Sequence, residues 1–166
     1  MDLFFTRRYK YIVNDTTDNV RRDFESITTR RWHDFSENIT GRLKNDGSFT
    51  LTHKWSFAVI KWIENSPAYL SGTLEAEGDK TKINVVLRPN SAFVLFFYLL
   101  AFLFIIELIG FNTFIEGPKL FKLLFFPFFN LILYGLMQMF ATGLKNRFER
   151  MMKVDPHDEL PTTADF

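Results

Sequence analysis

The sequence predicts an α+β protein: an antiparallel β-meander with one covering helix, in the order β-α-β-β-β-β, followed by a two-helix transmembrane hairpin. Two observations predict this class. Between residues 39 and 87, apolar and polar residues alternate through four short segments, which is the period of half-buried strands. Two long apolar runs then occupy residues 92–110 and 120–144. We therefore expect a soluble head (1–91), a helical hairpin (92–144) and a polar, flexible C-terminal tail (145–166).

The head is expected to begin with a strand and an amphipathic helix. Residues 9–13 are β-prone, and the Asn-Asp-Thr sequence that follows them supplies residues that cap helices. Val20, Phe24 and Ile27 then recur at spacings of four and three, with charged residues between them. This spacing predicts one helix, over about residues 16–29, with a single apolar face.

Four strands are expected to follow as a meander. Asn45-Asp46-Gly47 and Gly78-Asp79 provide turn chemistry between alternating segments. On each predicted strand one set of alternate residues is apolar or small: Ile39, Gly41 and Leu43; Phe49, Leu51, His53 and Trp55; Leu70, Gly72, Leu74 and Ala76; Ile83, Val85 and Leu87. One face of the sheet is therefore expected to be buried under the helix.

The segment between Trp55 and Pro67 has two interpretations. Trp55, Val59 and Trp62 would share a helical face, whereas a strand would place Val59 beside Lys61 and Ile63. The first alternative is a strand packed against the sheet. The second is a membrane-interface segment, because such interfaces attract Trp and Lys.

Other candidate membrane-interface residues flank the apolar runs. Arg88 precedes the first run, and Lys145 and Arg147 follow the second. With Trp55 and Trp62, they form the set of residues that we expect near lipid headgroups.

The order of short motifs resembles a known group of proteins. Gly41-x-Leu43, Phe49-x-Leu51 and Gly72-x-Leu74 are followed by Thr-x-Ile-x-Val-x-x-Arg-Pro at residues 81–89 and then directly by a helical hairpin. This order resembles a broad group of small uncharacterised bacterial two-span membrane proteins with a strand-rich N-terminal head. The resemblance covers about residues 39–144 and implies an architecture, with no activity attached.

The apolar runs fix the expected location. Each is long enough to cross a hydrocarbon core of about 30 Å at about 1.5 Å per residue. Seven Lys or Arg residues flank the hairpin on its head and tail side, against Lys119 and Lys122 in the connecting segment. We therefore expect an integral membrane protein of the cytoplasmic (inner) membrane, with the head and the tail both cytoplasmic.

Polar residues inside the hairpin are candidate helix-contact residues. Asn130, Tyr134, Gln138 and Thr142 recur every four residues in the second run, and lipid offers their polar groups no partner. They are expected to meet either the first helix or another chain. Glu107 in the first run is either an ion, proton or partner site, or a carboxylate that reaches the headgroups near the end of its helix. Lys119 or Lys122 could neutralise it there.

Composition argues against several functional classes. The chain has 166 residues, net charge +1 and no Cys, and its three His residues lack metal-ligand spacing. The head holds 14 Lys or Arg against 12 Asp or Glu, a balance too even for a nucleic-acid partner. We expect no metal, no cofactor and no catalytic residues.

Three functions remain open on the sequence. The first is a non-enzymatic, membrane-anchored accessory or scaffold subunit, whose partners are the lipid bilayer and another membrane protein or a second copy. The second is a membrane-tethered sensor or ligand-binding module. The third is an oligomerising, membrane-perturbing effector.

Overall fold

The computed structural model describes residues 5–29, 39–53, 66–110 and 118–154. Its elements are strands β1 (Arg7–Val13), β2 (Ile39–Leu43), β3 (Ser48–His53), β4 (Ala68–Glu77) and β5 (Lys80–Pro89), and helices α1 (Thr17–Thr29), α2 (Ser91–Ile109) and α3 (Lys119–Met152). The strands form one antiparallel sheet in the order β1-β5-β4-β3-β2. This confirms the predicted α+β class and the meander.

The members of the predicted apolar set that the structure describes, which exclude Trp55, lie together on one face of the sheet, here called the inner face. Register places Tyr11 opposite Ile83, Gly72 opposite Val85, and Leu51 opposite Leu70. Because directly opposed residues point to the same side, the alternation along each strand becomes a continuous apolar surface.

Aromatic rings fill the space over the inner face. The Phe24 ring of α1 lies 4.5 Å from the Phe49 ring of β3, and both lie near the Phe148 ring of α3, at 6.3 and 6.0 Å. An added Cβ on Gly72 would lie 2.6 Å from Phe49 Cζ, so the absence of a side chain there makes room for this ring. The sheet is thus covered by two helices, α1 and the end of α3, where the sequence predicted one.

Helices α2 and α3 form the predicted hairpin, and two contacts set its register. Lys122 Nζ lies 3.7 Å from Glu107 Oε1, and the Asn130 side chain faces the α2 backbone. The helices are antiparallel, so equal steps away from this ion pair reach the same level on both. Ser91 lies sixteen residues before Glu107 on α2, and Gln138 lies sixteen residues after Lys122 on α3. Gln138 is therefore level with the start of α2.

Helix α3 continues well beyond this level, which differs from the expected tail. The fourteen residues after Gln138, about 21 Å of helix, bring Leu144, Phe148 and Met152 into the core of the head. The sequence was expected to turn polar and flexible from residue 145. Instead the charged residues there alternate with apolar ones at helical spacing, so the helix runs to Met152. The division of the chain into domains stays a prediction.

Candidate functional site at the junction of the head and the apolar helices

The first strand attaches the head to the hairpin. Arg7 donates a hydrogen bond from Nη2 to Gln138 Oε1, at the level where α2 begins. Just before it, the Phe5 ring lies 5.3 to 6.4 Å from three rings on the two helices, those of Phe97, Tyr98 and Tyr134. One end of β1 is therefore held by both helices.

His53 forms a second attachment, at the end of β3. Its ring Nε2 lies 3.2 Å from the Phe140 carbonyl oxygen of α3, and Arg147 Nη1 lies 3.5 Å from its Nδ1. A carbonyl oxygen only accepts, so Nε2 carries the proton and Nδ1 is left to accept. Burial lowers the pKa of His53, and the nearby Arg147 guanidinium lowers it further, against the opposing effect of the bond to Phe140.

A third attachment joins β1 to the last turns of α3 through a buried carboxylate. Tyr11 donates from its hydroxyl to Glu149 Oε1 at 2.9 Å, and Lys145 Nζ lies 3.3 Å from the same oxygen. The Lys145 ammonium also lies 4.3 Å from the centre of the Tyr9 ring. The cation and the phenol together compensate a carboxylate that is only 8% exposed.

Asn90 forms the joint between β5 and α2. Its side-chain oxygen accepts from the Ala92 N–H at 2.8 Å, which caps the helix. Its side-chain amide donates to the Ser66 carbonyl at 2.8 Å, and its backbone N–H donates to the Pro67 carbonyl at 3.0 Å. The start of α2 is thereby fixed to the start of β4.

Inside the hairpin, two predicted contact residues bind within the chain. Glu107 is 2% exposed and pairs with Lys122. With the Asn130 amide oriented to match donor to acceptor, its nitrogen donates to the Phe97 carbonyl at 3.1 Å and its oxygen accepts from the Ala101 N–H at 3.3 Å. Both contacts join α2 to α3.

The four-residue polar repeat of α3 does not form one contact surface. Asn130 faces α2, Tyr134 and Gln138 face the start of β1, and Thr142 is exposed. At about 100° per residue, each four-residue step turns the side chain by about 40° beyond a full circle. Three steps turn it by about 120°, so the repeat passes from the hairpin contact to the head and then to the outside.

The interface candidates fall in different environments. The Arg88 guanidinium lies 4.9 Å from the centre of the Tyr69 ring at the α2 end of the sheet. Lys145 and Arg147 lie beyond Gln138, against Glu149 and His53. Trp55 and Trp62 lie outside the described residues.

Sequence reasoning missed the roles of Tyr11 and Glu149. It placed His53 on the buried face of β3 but did not identify its contacts on α3. A usable signal was present: Met137, Ala141, Leu144, Phe148 and Met152 recur at spacings of four, three, four and four. This pattern predicts an apolar helical face that continues past residue 144. Extending the helix in this way would have placed Phe148 and Met152 in the core of the head, but Glu149 lies about 100° around the helix from Phe148, so its burial could not have been predicted from this pattern.

A shallow cavity of about 250 Å³ lies at the far end of the head, between the β1–α1 turn and the end of α3. Asp15, Asp23 and Lys153 are among its lining residues. Within the four described stretches of the chain, no three His, Asp or Glu side chains are grouped as metal ligands would be.

The fold and the junction define an α+β head built on one end of a helical hairpin whose two helices are long and apolar enough to cross a membrane. Comparison with protein-family models, curated protein sequences and solved structures finds no significant match for this chain.

Proposed function

We propose that the chain is an integral membrane protein that acts as a non-enzymatic accessory or scaffold subunit of a membrane assembly. The hairpin α2–α3 anchors it, and the head and C-terminus lie on the cytoplasmic side. The proposal combines two properties: a surface that needs lipid or a partner, and a head held rigidly on that surface.

The observation that carries the proposal is the unbroken helix α3. Its first part carries exposed apolar side chains, and its last turns form part of the head's core. A helix shared between both parts leaves the head little freedom to turn relative to the hairpin. A fixed orientation suits a subunit that presents one surface to a membrane partner.

The distribution of exposed apolar side chains supports membrane anchorage. All the large exposed apolar residues of the described chain lie between Leu95 and Met139. Only 11% and 17% of the most apolar windows of α2 and α3 are buried within the chain. The core helix of a soluble protein is mostly buried, so this pattern favours helices covered by lipid or by another protein.

Anchorage and sidedness can be tested together. The chain lacks Cys, so a single Asp79→Cys variant carries one thiol, in the exposed β4–β5 turn. We expect the protein to remain in membranes washed with alkaline carbonate. We also expect the thiol to react with a membrane-impermeant maleimide only after the cells are broken, so that the reagent reaches the cytoplasmic side of the membrane. Release by carbonate would contradict anchorage, and labelling of intact cells would contradict the orientation.

Gly135 offers a test of the partner. It lies in the apolar part of α3, where an added Cβ meets no atom of the described residues within 4 Å apart from its own helix backbone. Small residues allow close helix contact in membranes. We expect Gly135→Leu to leave the fold intact and to abolish co-purification of the partner or of a second copy in mild detergent.

Gly143→Leu is the matched control. The same change is made on the same helix, at a position where an added Cβ again meets none of the described residues outside its own helix backbone, but beyond the level where α2 begins. We expect this variant to keep its partner. A wild-type protein that purifies as a plain monomer, or a Gly135→Leu variant that retains the partner, would contradict the proposal.

A membrane-tethered sensor is the second candidate, because an unbroken helix also transmits a displacement of the head to the hairpin. The interior of the described head offers it less support, since Phe24, Phe49 and Phe148 occupy the space over the sheet. A small molecule retained by the full-length protein in native mass spectrometry would favour the sensor.

A further inference from the structure

The charged residues of the five strands are sorted by type along the sheet. A row is here the set of directly opposed residues across the strands, numbered by its residue in β5. Because β5 runs toward α2, the rows with higher numbers are nearest to the hairpin. Arg88 lies in β5 itself, Arg7 opposite Leu87, and Arg8 opposite Val86. The remaining arginine of the strands is Arg42 of β2. It lies in the row of Val86, because Arg42 is opposite Thr50, Thr50 is opposite Ser71, and Ser71 is opposite Val86. All four arginines of the strands thus lie in the three rows at positions 86 to 88.

The other charged residues of the strands lie farther from the hairpin. Lys10 is opposite Asn84, Glu75 is opposite Lys82, and Glu77 is opposite Lys80. Every lysine and every carboxylate of the described strands therefore lies at rows 80 to 84. The end of the sheet near α2 carries arginine only, although the net charge of the whole chain is close to neutral.

Three of these arginines share the face of the sheet opposite the inner face, here called the outer face. Arg8 and Arg42 are the two ends of one row, and Arg88 lies one outer-face row closer to α2. Arg8 and Arg88 are diagonal neighbours, which places their α-carbons about 7–8 Å apart. Arg8 and Arg42 are separated by four strand spacings, about 19 Å.

Apart from Val86, which is next to Arg8, the side chains between these arginines bear hydroxyl groups. Ser71 and Thr50 stand in the row of Arg8 and Arg42, and Thr52 and Tyr69 stand in the row of Arg88. Arginine binds phosphate oxygens through two parallel N–H groups, and hydroxyls add further donors. A surface of arginine and hydroxyl groups, with no carboxylate in the described part of these rows, complements a layer of phosphates.

The position of this surface near the start of α2 indicates that the phosphates belong to lipid headgroups. Arg88 is three residues before Ser91, where α2 begins, so its α-carbon lies within about 10 Å of the start of the apolar helix. The headgroup layer of a bilayer extends about 5–7 Å beyond the hydrocarbon on each side. An extended Arg88 side chain covers the remaining distance. Arg8 and Arg42 lie about 7 Å farther from α2, where their charges still act within about one Debye length of the headgroup surface.

We propose that the outer face near α2, formed by Arg8, Arg42 and Arg88 with the hydroxyl groups between them, binds the phosphate headgroups of anionic phospholipids. This rests on the proposed membrane anchorage and adds the lipid class that the head recognises. The bound lipids then hold the sheet against the membrane surface on the side opposite to α1 and α3.

The experiment compares two triple variants of the full-length protein with equal charge. Arg8→Gln/Arg42→Gln/Arg88→Gln and Lys10→Gln/Lys80→Gln/Lys82→Gln each remove three positive charges from the same sheet. Each protein is reconstituted in an equal mixture of phosphatidylglycerol and phosphatidylcholine. Native mass spectrometry then measures the ratio of the two lipids retained after release from detergent.

We expect the wild type and the lysine variant to retain phosphatidylglycerol preferentially. A basic group near an anionic surface changes binding about fivefold, so three arginines change the ratio up to roughly a hundredfold. Because Arg8 and Arg42 are exposed, Arg8→Gln/Arg42→Gln provides a second variant that should keep the fold and lose about 25-fold.

An unchanged ratio in the arginine variants, or an equal loss in the lysine variant, would overturn the proposal. Loss of a co-purifying acidic protein with unchanged lipid retention would also overturn it, and would assign the face to a protein. Carbonate extraction of the same variants separates this outcome from a failure of anchorage, since the hairpin is unaltered in all of them.

Discussion

Replacement of Phe148 by Ala tests whether the end of α3 belongs to the core of the head. The Phe148 side chain is fully buried, and its ring lies 5.8 to 6.3 Å from the rings of Tyr11, Phe24 and Phe49. Removing a buried Phe side chain costs about 3–5 kcal/mol, through lost burial and the cavity that remains. For a head of about 100 residues, a loss of this size lowers the Tm by at least about 12 °C.

Unfolding can be followed in detergent through the intrinsic fluorescence of the full-length protein, because all three tryptophans belong to the head sequence. Asn146→Ala is the matched control, since this residue is exposed on the same turns of α3 and should change stability by less than about 0.5 kcal/mol. If Phe148→Ala and Asn146→Ala have the same Tm, the end of α3 does not pack against the sheet as described.

Three further predictions concern polar groups. Glu107→Gln alone should destabilise the hairpin by about 3–5 kcal/mol, because it leaves the Lys122 charge buried without its partner. Glu107→Leu/Lys122→Leu should recover most of that loss in the same thermal assay, and equal losses in both variants would count against the ion pair. His53 has a folded-state pKa below its ordinary value of 6.5, so the unfolded chain binds a proton first as the pH falls. The Tm should therefore decline as the pH drops below about 6.5 and level off below the folded pKa, with a smaller decline in His53→Gln.

Most of the head could be predicted from the sequence because each strand is buried on one face only. Alternation fixed which residues share that face, and the Asn-Asp-Gly and Gly-Asp turns fixed where the strands reverse. Gly47 and Gly78 both adopt positive φ, at 80° and 62°, as those turns require. The position of β1 beside β5 needed the structure, since seven residues of one strand carry no signal for a partner about seventy residues away.

The polar contacts of the hairpin were predictable only as a set of candidates. The sequence identified Glu107, Asn130 and Gln138 as groups that need partners in an apolar environment. It offered Lys119 or Lys122 for Glu107, and the choice between them depends on the register between the helices. It named no partner for Gln138, because that contact depends on the path of β1. The α3 extension was missed for a different reason: Lys145, Arg147 and the charges after them resemble a solvated tail unless helical spacing is counted.

The shared helix has a consequence for folding that can be tested without a membrane. Leu144, Phe148, Met152 and Val154 belong to the core of the head, yet in the chain they come after α2 and after the apolar part of α3. At about 1.5–3 kcal/mol for each buried apolar side chain, they contribute roughly 6–12 kcal/mol, which is comparable with the total stability of a small domain. Residues 1–91 alone should therefore expose the inner face of the sheet, bind a hydrophobic dye and aggregate.

The matched protein joins residue 90 to residue 139 through a short Gly-Ser linker. It omits α2 and the apolar part of α3, and it keeps the end of α3 that covers the sheet. Such a linker has little distance to span, because Ser91 and Gln138 are level and packed helix axes lie about 8–10 Å apart. We expect this chain to fold as a soluble monomer with a cooperative thermal transition, because it regains the helix that covers the sheet. If residues 1–91 unfold as cooperatively as the linked chain and at the same temperature, then the head does not need α3 in order to fold. That result would contradict the coupling of the head to the hairpin.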